Sequence, residues 1–151
     1  MPPLDPSDWV SILARLSLAI FVGGLVGLER QIGRKPAGLR THMLVSLGSA
    51  LFVMTGLQFG QNSLDNTTRI IQGIVSGIGF LGAGEIFAKS RRTPNEIKIQ
   101  GLTSAAAIWV SASLGVAAGC GLWFTALSGA IATTFVLQVI KRAERRLDRE
   151  K

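Results

Sequence analysis

Two groups of ionisable residues lie where long apolar runs begin or end, and they are the places to look for chemistry. Glu29 and Arg30 close the first run, Arg40, Thr41 and His42 open the second, and Glu85 stands near the end of the third. Charged groups at such depths are costly to bury, so their presence points to a functional or pairing role. Glu29 and Glu85 can pair with Arg30 and Arg40 in a charge-neutral cluster, or each can snorkel separately to the headgroups. The second group is Asp65 and Arg69, four residues apart and so one helical turn. Arg15 lies alone inside the first run, and Asp65 is its candidate partner. The bland alternative for Asp65 and Arg69 is a surface pair of little energy.

These residues do not make a catalytic set. With one His and one Cys there is no zinc cluster and no CxxC. No Walker phosphate loop occurs. Gly77-Ile78-Gly79-Phe80-Leu81-Gly82 fits a dinucleotide fingerprint in letters only, since it lies inside an apolar run and not between a strand and a helix. Magnesium prefers carboxylate oxygens, but Asp65 and Glu85 are on the order of 30 Å apart along a helix. A cation path would need backbone carbonyls of the glycine-rich third run, or several copies around an axis. No enzyme activity, cofactor or metal is expected.

The elements that position these groups follow from composition. The chain has 151 residues, 48% apolar and 17% charged, with 16 Lys+Arg against 9 Asp+Glu. Its mean hydropathy is +0.40. That excludes a disordered chain, a disulfide scaffold and an ordinary soluble domain. From Gly101 to Ile140 there is no Asp, Glu, Lys or Arg. As one helix this would reach about 60 Å, twice a bilayer core. A break at Gly119-Cys120-Gly121 divides it into 102–118 and 122–140. Runs at 10–28, 41–58 and 70–87 precede it, and none alternates as a membrane barrel strand must. The expected fold is all-α, a polytopic membrane bundle of five transmembrane helices. Residues 1–140 form the transmembrane domain and 141–151 a basic cytoplasmic tail. The first run should be retained, since residues 1–9 carry Asp5 and Asp8 and no base, unlike a secretory signal.

The bases test this topology. Arg30, Arg34, Lys35 and Arg40 fill the first linker, Lys89, Arg91, Arg92 and Lys98 the third, and Lys141, Arg142, Arg145, Arg146, Arg149 and Lys151 the tail. The intervening ends hold only Arg69. Five spans with the N-terminus outside and the C-terminus cytoplasmic obey the positive-inside rule, and membrane anchoring then replaces nucleic acid as the reason for the net charge of +7. His42 and Cys120 fall on opposite sides, which removes a Cys–His pair. Helices in lipid associate through small residues. Gly23 and Gly27, then Gly73 and Gly77, recur at four-residue spacing, as does the stripe Thr103, Ala107, Ser111, Gly115, Gly119. Gly73, Gly77, Gly79, Gly82, Gly84 and Gly115 are assigned to helix packing, within the subunit, at a dimer face or along a conducting path. Trp9 and Trp123 suit interfacial belts, and Trp109 the core.

The motifs Gly27-Leu28-Glu29-Arg30, Ala37-Gly38-Leu39-Arg40-Thr41, Asp65 with Arg69-Ile70, Ser76-Gly77-Ile78-Gly79-Phe80-Leu81-Gly82-Ala83-Gly84 and Gly101-Leu102-Thr103-Ser104-Ala105-Ala106 with Trp109 resemble the MgtC/SapB family of bacterial inner-membrane proteins. The resemblance covers about residues 20 to 120. It implies a polytopic membrane domain with an external N-terminus, and a role in ion (magnesium or proton) homeostasis, in growth at low magnesium and under stress. It implies action on other membrane complexes, such as the F-type ATP synthase, more than transport itself. It marks Glu29, Arg30, Arg40, Thr41, Asp65 and Arg69 with the third-run glycines. Family members carry a further soluble C-terminal domain, so the resemblance concerns the N-terminal membrane domain. Glu85 departs from the family pattern, where the position after Gly84 is apolar or small.

The expected function is therefore a non-enzymatic membrane protein that contacts the bilayer and another membrane complex. An oligomeric magnesium transporter or channel around the third run is the alternative. A reporter active only in the cytoplasm, fused after Lys151, is expected to be active, and activity of a reporter that works only outside would refute the five-span topology.

Overall fold

A computed structural model describes residues 7–59, 63–89, 91–93 and 96–140. Five helices follow one another: α1 (Trp9–Ile32), α2 (Leu39–Phe59), α3 (Ser63–Lys89), α4 (Leu102–Gly119) and α5 (Trp123–Phe135), the last continuing as a π-helical turn (Val136–Ile140). Apolar segments of this length become helices because every backbone N–H and C=O is then satisfied within the segment. Between α3 and α4 lies a short antiparallel ribbon, β1 (Arg91–Thr93) against β2 (Glu96–Lys98), which the helical expectation lacked. It sits in the polar third linker, where hydropathy says nothing about strands. The basic tail, 141–151, lies outside the described residues.

Local signals set the helix ends. Asp8 caps α1, its side chain accepting from the Ser11 N–H at 3.1 Å. The Gln31 side chain accepts from the Leu39 N–H at the start of α2. The α4–α5 turn is a Schellman motif, with Gly121 N–H donating to Ala118 O and Leu122 N–H to Ala117 O, both at 2.9 Å. Gly121 takes the left-handed conformation that this motif needs.

Helices α1, α2 and α4 form the heart of the bundle. Their shared core is built from small or branched residues, among them Ala19, Val22, Val26, Ala50, Ala107 and Ala118. A second cluster at the other end joins Val53, Met54, Leu57 and Cys120, with Ile70, Ile71 and Ile74 of α3 against it. Large apolar side chains point outward instead: Phe80, Phe87 and Phe124 are each more than 80% exposed. This inside-out distribution suits lipid, where burial of large apolar groups between helices brings no hydrophobic gain and close approach does. Three helices, Trp9–Ile32, Asp65–Phe87 and Leu102–Gly119, are long and apolar enough to cross a membrane, while the apolar stretch Trp123–Val139 is shorter. Trp109, expected in the core, is half exposed.

The glycines that bring helices together differ from those expected. A Cβ on Gly23 would lie 2.6 Å from the His42 carbonyl oxygen, and one on Gly27 2.8 Å from Leu39 Cα. On α4, a Cβ on Gly119 would lie 2.8 Å from Ala50 O, and one on Gly115 would overlap the Ser46 carbonyl. Helix α2 is thus pressed backbone to backbone between α1 and α4. The packing assignment fails within the chain for Gly73, Gly77, Gly79 and Gly84, where a Cβ would meet nothing within 4 Å, while at Gly82 it would touch Ala105 at 3.5 Å. Their spacing marks a face of α3, but none of these four is in packing contact, and Gly73 and Gly77 border an open groove between α3 and α2.

Gly115→Leu should destabilise the fold by roughly 1–3 kcal/mol or more through overpacking against an unyielding carbonyl. Gly77→Leu should leave the monomer's stability unchanged. Thermal unfolding in mild detergent checks both, and equal losses would show that the α2–α4 crossing is not the tight one.

Candidate functional site

The tight crossing of α1, α2 and α4 encloses a seam of polar side chains. Near the C-terminal end of α1, Arg30 is 2% exposed and donates through Nη2 to Ser104 Oγ of α4 at 2.7 Å. Its Nη1 lies 3.7 Å from Glu29 Oε2. Farther in, His42 Nδ1 and Ser111 Oγ are 2.8 Å apart, with both residues fully buried. Ser46 Oγ donates to the Ala19 carbonyl at 2.8 Å, tying α2 to α1. At the opposite end, Arg15 Nη1 donates to the Gly119 carbonyl at 2.7 Å. A cation there is well placed to meet the negative end of α4.

Arg15 and Arg30 are fifteen residues apart, and so are their partners Gly119 and Ser104, in the reverse order. Helices α1 and α4 are therefore antiparallel and clamped twice, about 22 Å apart along their axes. Each clamp is a charge-assisted hydrogen bond, the Arg30–Ser104 one buried, where such bonds are at their strongest, and the Arg15–Gly119 one partly buried.

Several expected pairings resolve differently. Glu29 and Arg30 come together as expected, and Glu85 lies within electrostatic reach of Arg30. Glu85 Oε1 is buried and has no hydrogen-bond partner among the described residues. Arg40 stays out of the cluster, exposed on the outer face of α2. Thr41 is also exposed and shares with Glu85 the wall of a cavity of about 370 Å³. Asp65 and Arg69 are both exposed and form no ion pair with each other. Arg15 is taken by Gly119, not by Asp65. One helical turn of spacing permits the Asp65–Arg69 contact but supplies no desolvated surroundings to hold it. Of the glycines, Gly115 and Gly82 face α2 and α4 respectively, and Gly73 and Gly77 line an open groove with Leu44, Gly48 and Phe52 of α2.

Ser46 was not singled out, and what was missed of His42, Ser104 and Ser111 is that they bond across helices, His42 to Ser111 and Ser104 to Arg30. The sequence signal was available: His42, Ser46 and Ala50 share one face of α2 at four-residue spacing, and the small-residue stripe of α4 includes Ser111. Hydroxyls count as small residues in a packing stripe and as hydrogen-bond partners opposite a lone His. The Ser111–His42 contact has the geometry of a hydroxyl–base pair, but both groups are sealed from any substrate. Its work is to join two helices. Among the described residues no group of three His, Cys, Asp or Glu is placed to hold a metal ion. Burial pushes the Cys120 thiol above its ordinary value, with Arg15 nearby pulling partly the other way.

The family model described as MgtC family matches residues 16–146. Protein SrpB of Synechococcus elongatus is 43% identical over 148 residues, covering 94% of this chain and 81% of that protein. YhiD of Escherichia coli, named as a candidate magnesium transporter, is 39% identical over 89% of this chain and 63% of its own length. Protein MgtC of Brucella abortus is 45% identical over 83% of this chain and 48% of its own length. The chain thus spans about half to two thirds of the last two. No solved structure matches.

Ser104→Ala and Ser111→Ala should each lower stability by about 1–3 kcal/mol, because Arg30 or His42 is left buried without its partner. Ser113→Ala, whose hydroxyl bonds only its own helix at Val110, should change it by less than about 0.5 kcal/mol. Reversible unfolding in detergent checks this, and equal effects at all three sites would remove the seam from the account.

Proposed function

Because the chain belongs to the MgtC family, we propose that it is a non-enzymatic protein crossing the bacterial inner membrane five times, and that it adjusts magnesium or proton homeostasis by contacting another membrane complex. The family and the apolar helices make it a membrane protein connected with magnesium. A crossing by α2 is supported by packing: α2 is wedged between α1 and α4, two helices of membrane-crossing length, and so runs through the same layer.

The observation that carries partner contact is the open face of α3. This helix is long and apolar enough to cross a membrane, yet none of its spanning window is buried in the bundle. Its glycines Gly73, Gly77 and Gly84 present bare backbone with nothing within 4 Å. Glycine in a membrane helix favours close approach of a second helix, and no described helix of this chain occupies that position. The neighbouring groove against α2, about 670 Å³ and lined by Gly73, Ile74 and Gly77, offers it a seat. The alternative, an oligomeric cation transporter, takes support from the name of the Escherichia coli relative and would use the same face around an axis. Within one subunit, the guanidinium of Arg30 at one end of the seam and Arg15 at the other oppose a cation path through the centre.

A photocrosslinking residue placed at Phe80, on the exposed side of α3, should give a discrete adduct with a different membrane protein in cells starved of magnesium. Gly77→Leu in the same chain should abolish that adduct. Adducts with the same chain alone, together with magnesium flux through the purified protein in liposomes, would replace this reading with the transporter.

A further inference from the structure

We infer that the helix seated on α3 belongs to a different protein and carries an acidic side chain at the level of Arg69 and a cationic hydrogen-bond donor at the level of Glu85. The inference rests on the partner contact proposed above and names the chemistry of that partner.

The groove between α2 and α3 is the middle one of three cavities in a row. It shares Phe52 and Ile70 with a cavity of about 390 Å³ that Asn66 and Arg69 help to line. It shares Val45 and Leu81 with the cavity of about 370 Å³ that holds Thr41 and Glu85 in its wall. Along α3 this trough follows Asn66, Ile70, Gly73, Gly77, Leu81 and Gly84, at three- and four-residue spacing, and so keeps to one face. From residue 66 to residue 84 the helical rise gives about 27 Å, close to the roughly 30 Å of a bilayer core. A lipid tail belongs to one leaflet and reaches about half that depth. A transmembrane helix fills it.

The charges at the two ends select the helix. Arg69 is exposed in the wall at one end and has no ion pair among the described residues. Asp65, one turn earlier, is exposed and is not in that wall. At the other end Glu85 lines the wall, its Oε1 buried and without a hydrogen-bond partner among the described residues. Arg30 acts on Glu85 through its field, while its own donors face Ser104 and Glu29. A carboxylate lacking a donor at membrane depth is costly, and a donor carried by the seated helix offsets that cost.

The same charges disfavour a symmetric pair of this chain. Copies of one topology meet at equal depth, so α3 against α3 sets Arg69 beside Arg69 and Glu85 beside Glu85. Asp65 tempers the first repulsion, and no described side chain of α3 tempers the second. Nor does α1 supply the complementary pattern to a second copy: Asp8 stands at one end, but Arg30 at the other is enclosed in the seam.

For the test, the full chain with a photocrosslinking residue at Phe80 is placed in phosphatidylcholine liposomes with biotinylated Leu/Ala peptides of membrane-crossing length and a central Gly-x-x-x-Gly. One peptide carries Glu and Lys sixteen residues apart, the separation of Arg69 and Glu85. A second carries Gln at both positions and a third Lys at both. The Glu/Lys peptide should give about tenfold more adduct than the Gln/Gln peptide. Arg69→Gln and Glu85→Gln should each lower its yield by about threefold, and Arg40→Gln, exposed and outside the trough, by less than about twofold. Arg69→Glu should transfer the preference to the Lys/Lys peptide, which also shows that the variant is folded. Equal yields from the three peptides, zero included, overturn the inference, and so does a preference that Arg69→Glu fails to transfer. An adduct between two copies without peptide overturns it in favour of a homodimer. In magnesium-starved cells, Arg69→Glu should reduce the Phe80 adduct with a different protein; an unchanged adduct would leave partner contact standing and remove the charged ends.

Discussion

The whole arrangement rests on how closely α2 approaches its two neighbours. Four glycines, Gly23 and Gly27 on α1 and Gly115 and Gly119 on α4, stand where any side chain would collide with the backbone of α2. In lipid there is no hydrophobic gain from pressing these helices together, so the stabilisation has to come from dispersion between surfaces in full contact and from the hydrogen bonds that contact allows. Move α2 outward by the thickness of a methyl group, and His42 no longer reaches Ser111, nor Ser46 the Ala19 carbonyl.

The polar seam is a consequence of that approach. His42, Ser46, Ser104, Ser111 and Arg30 sit in an interior otherwise apolar and rich in alanine and valine. Unpartnered, each would be a liability at this depth. Partnered across helices, each fixes a register that apolar packing of small residues leaves free to slip. The two arginine clamps, at Gly119 and Ser104, set the sliding position of α1 on α4 at both ends. Close packing and register thus divide between the glycines and the polar groups.

Helix α3 is held on different terms. It touches the bundle through Ile70, Ile71 and Ile74 at one end and Gly82 at the other, while the side bearing Gly73, Gly77 and Gly84 stays bare. The remaining helices satisfy one another, and this one does not. The chain therefore combines a closely packed triad with one membrane-length helix whose glycine face no described residue covers.

Several features were legible in the residues alone. Helices in this number and order followed from the lengths of the apolar runs, since an apolar segment of membrane length has few ways to satisfy its own backbone. The family was legible in its short motifs, and the Glu29–Arg30 pairing in its depth. Which glycines meet a neighbour was not legible: Gly77 and Gly115 have the same local spacing and opposite surroundings. Nor was the partner of Arg15, which chose a carbonyl at the end of α4 over the Asp65 carboxylate in the first turn of α3. Those choices depend on the rotation and crossing of whole helices, set by contacts between residues far apart in the chain. Spacing along a single helix carries a face but not the identity of what that face meets.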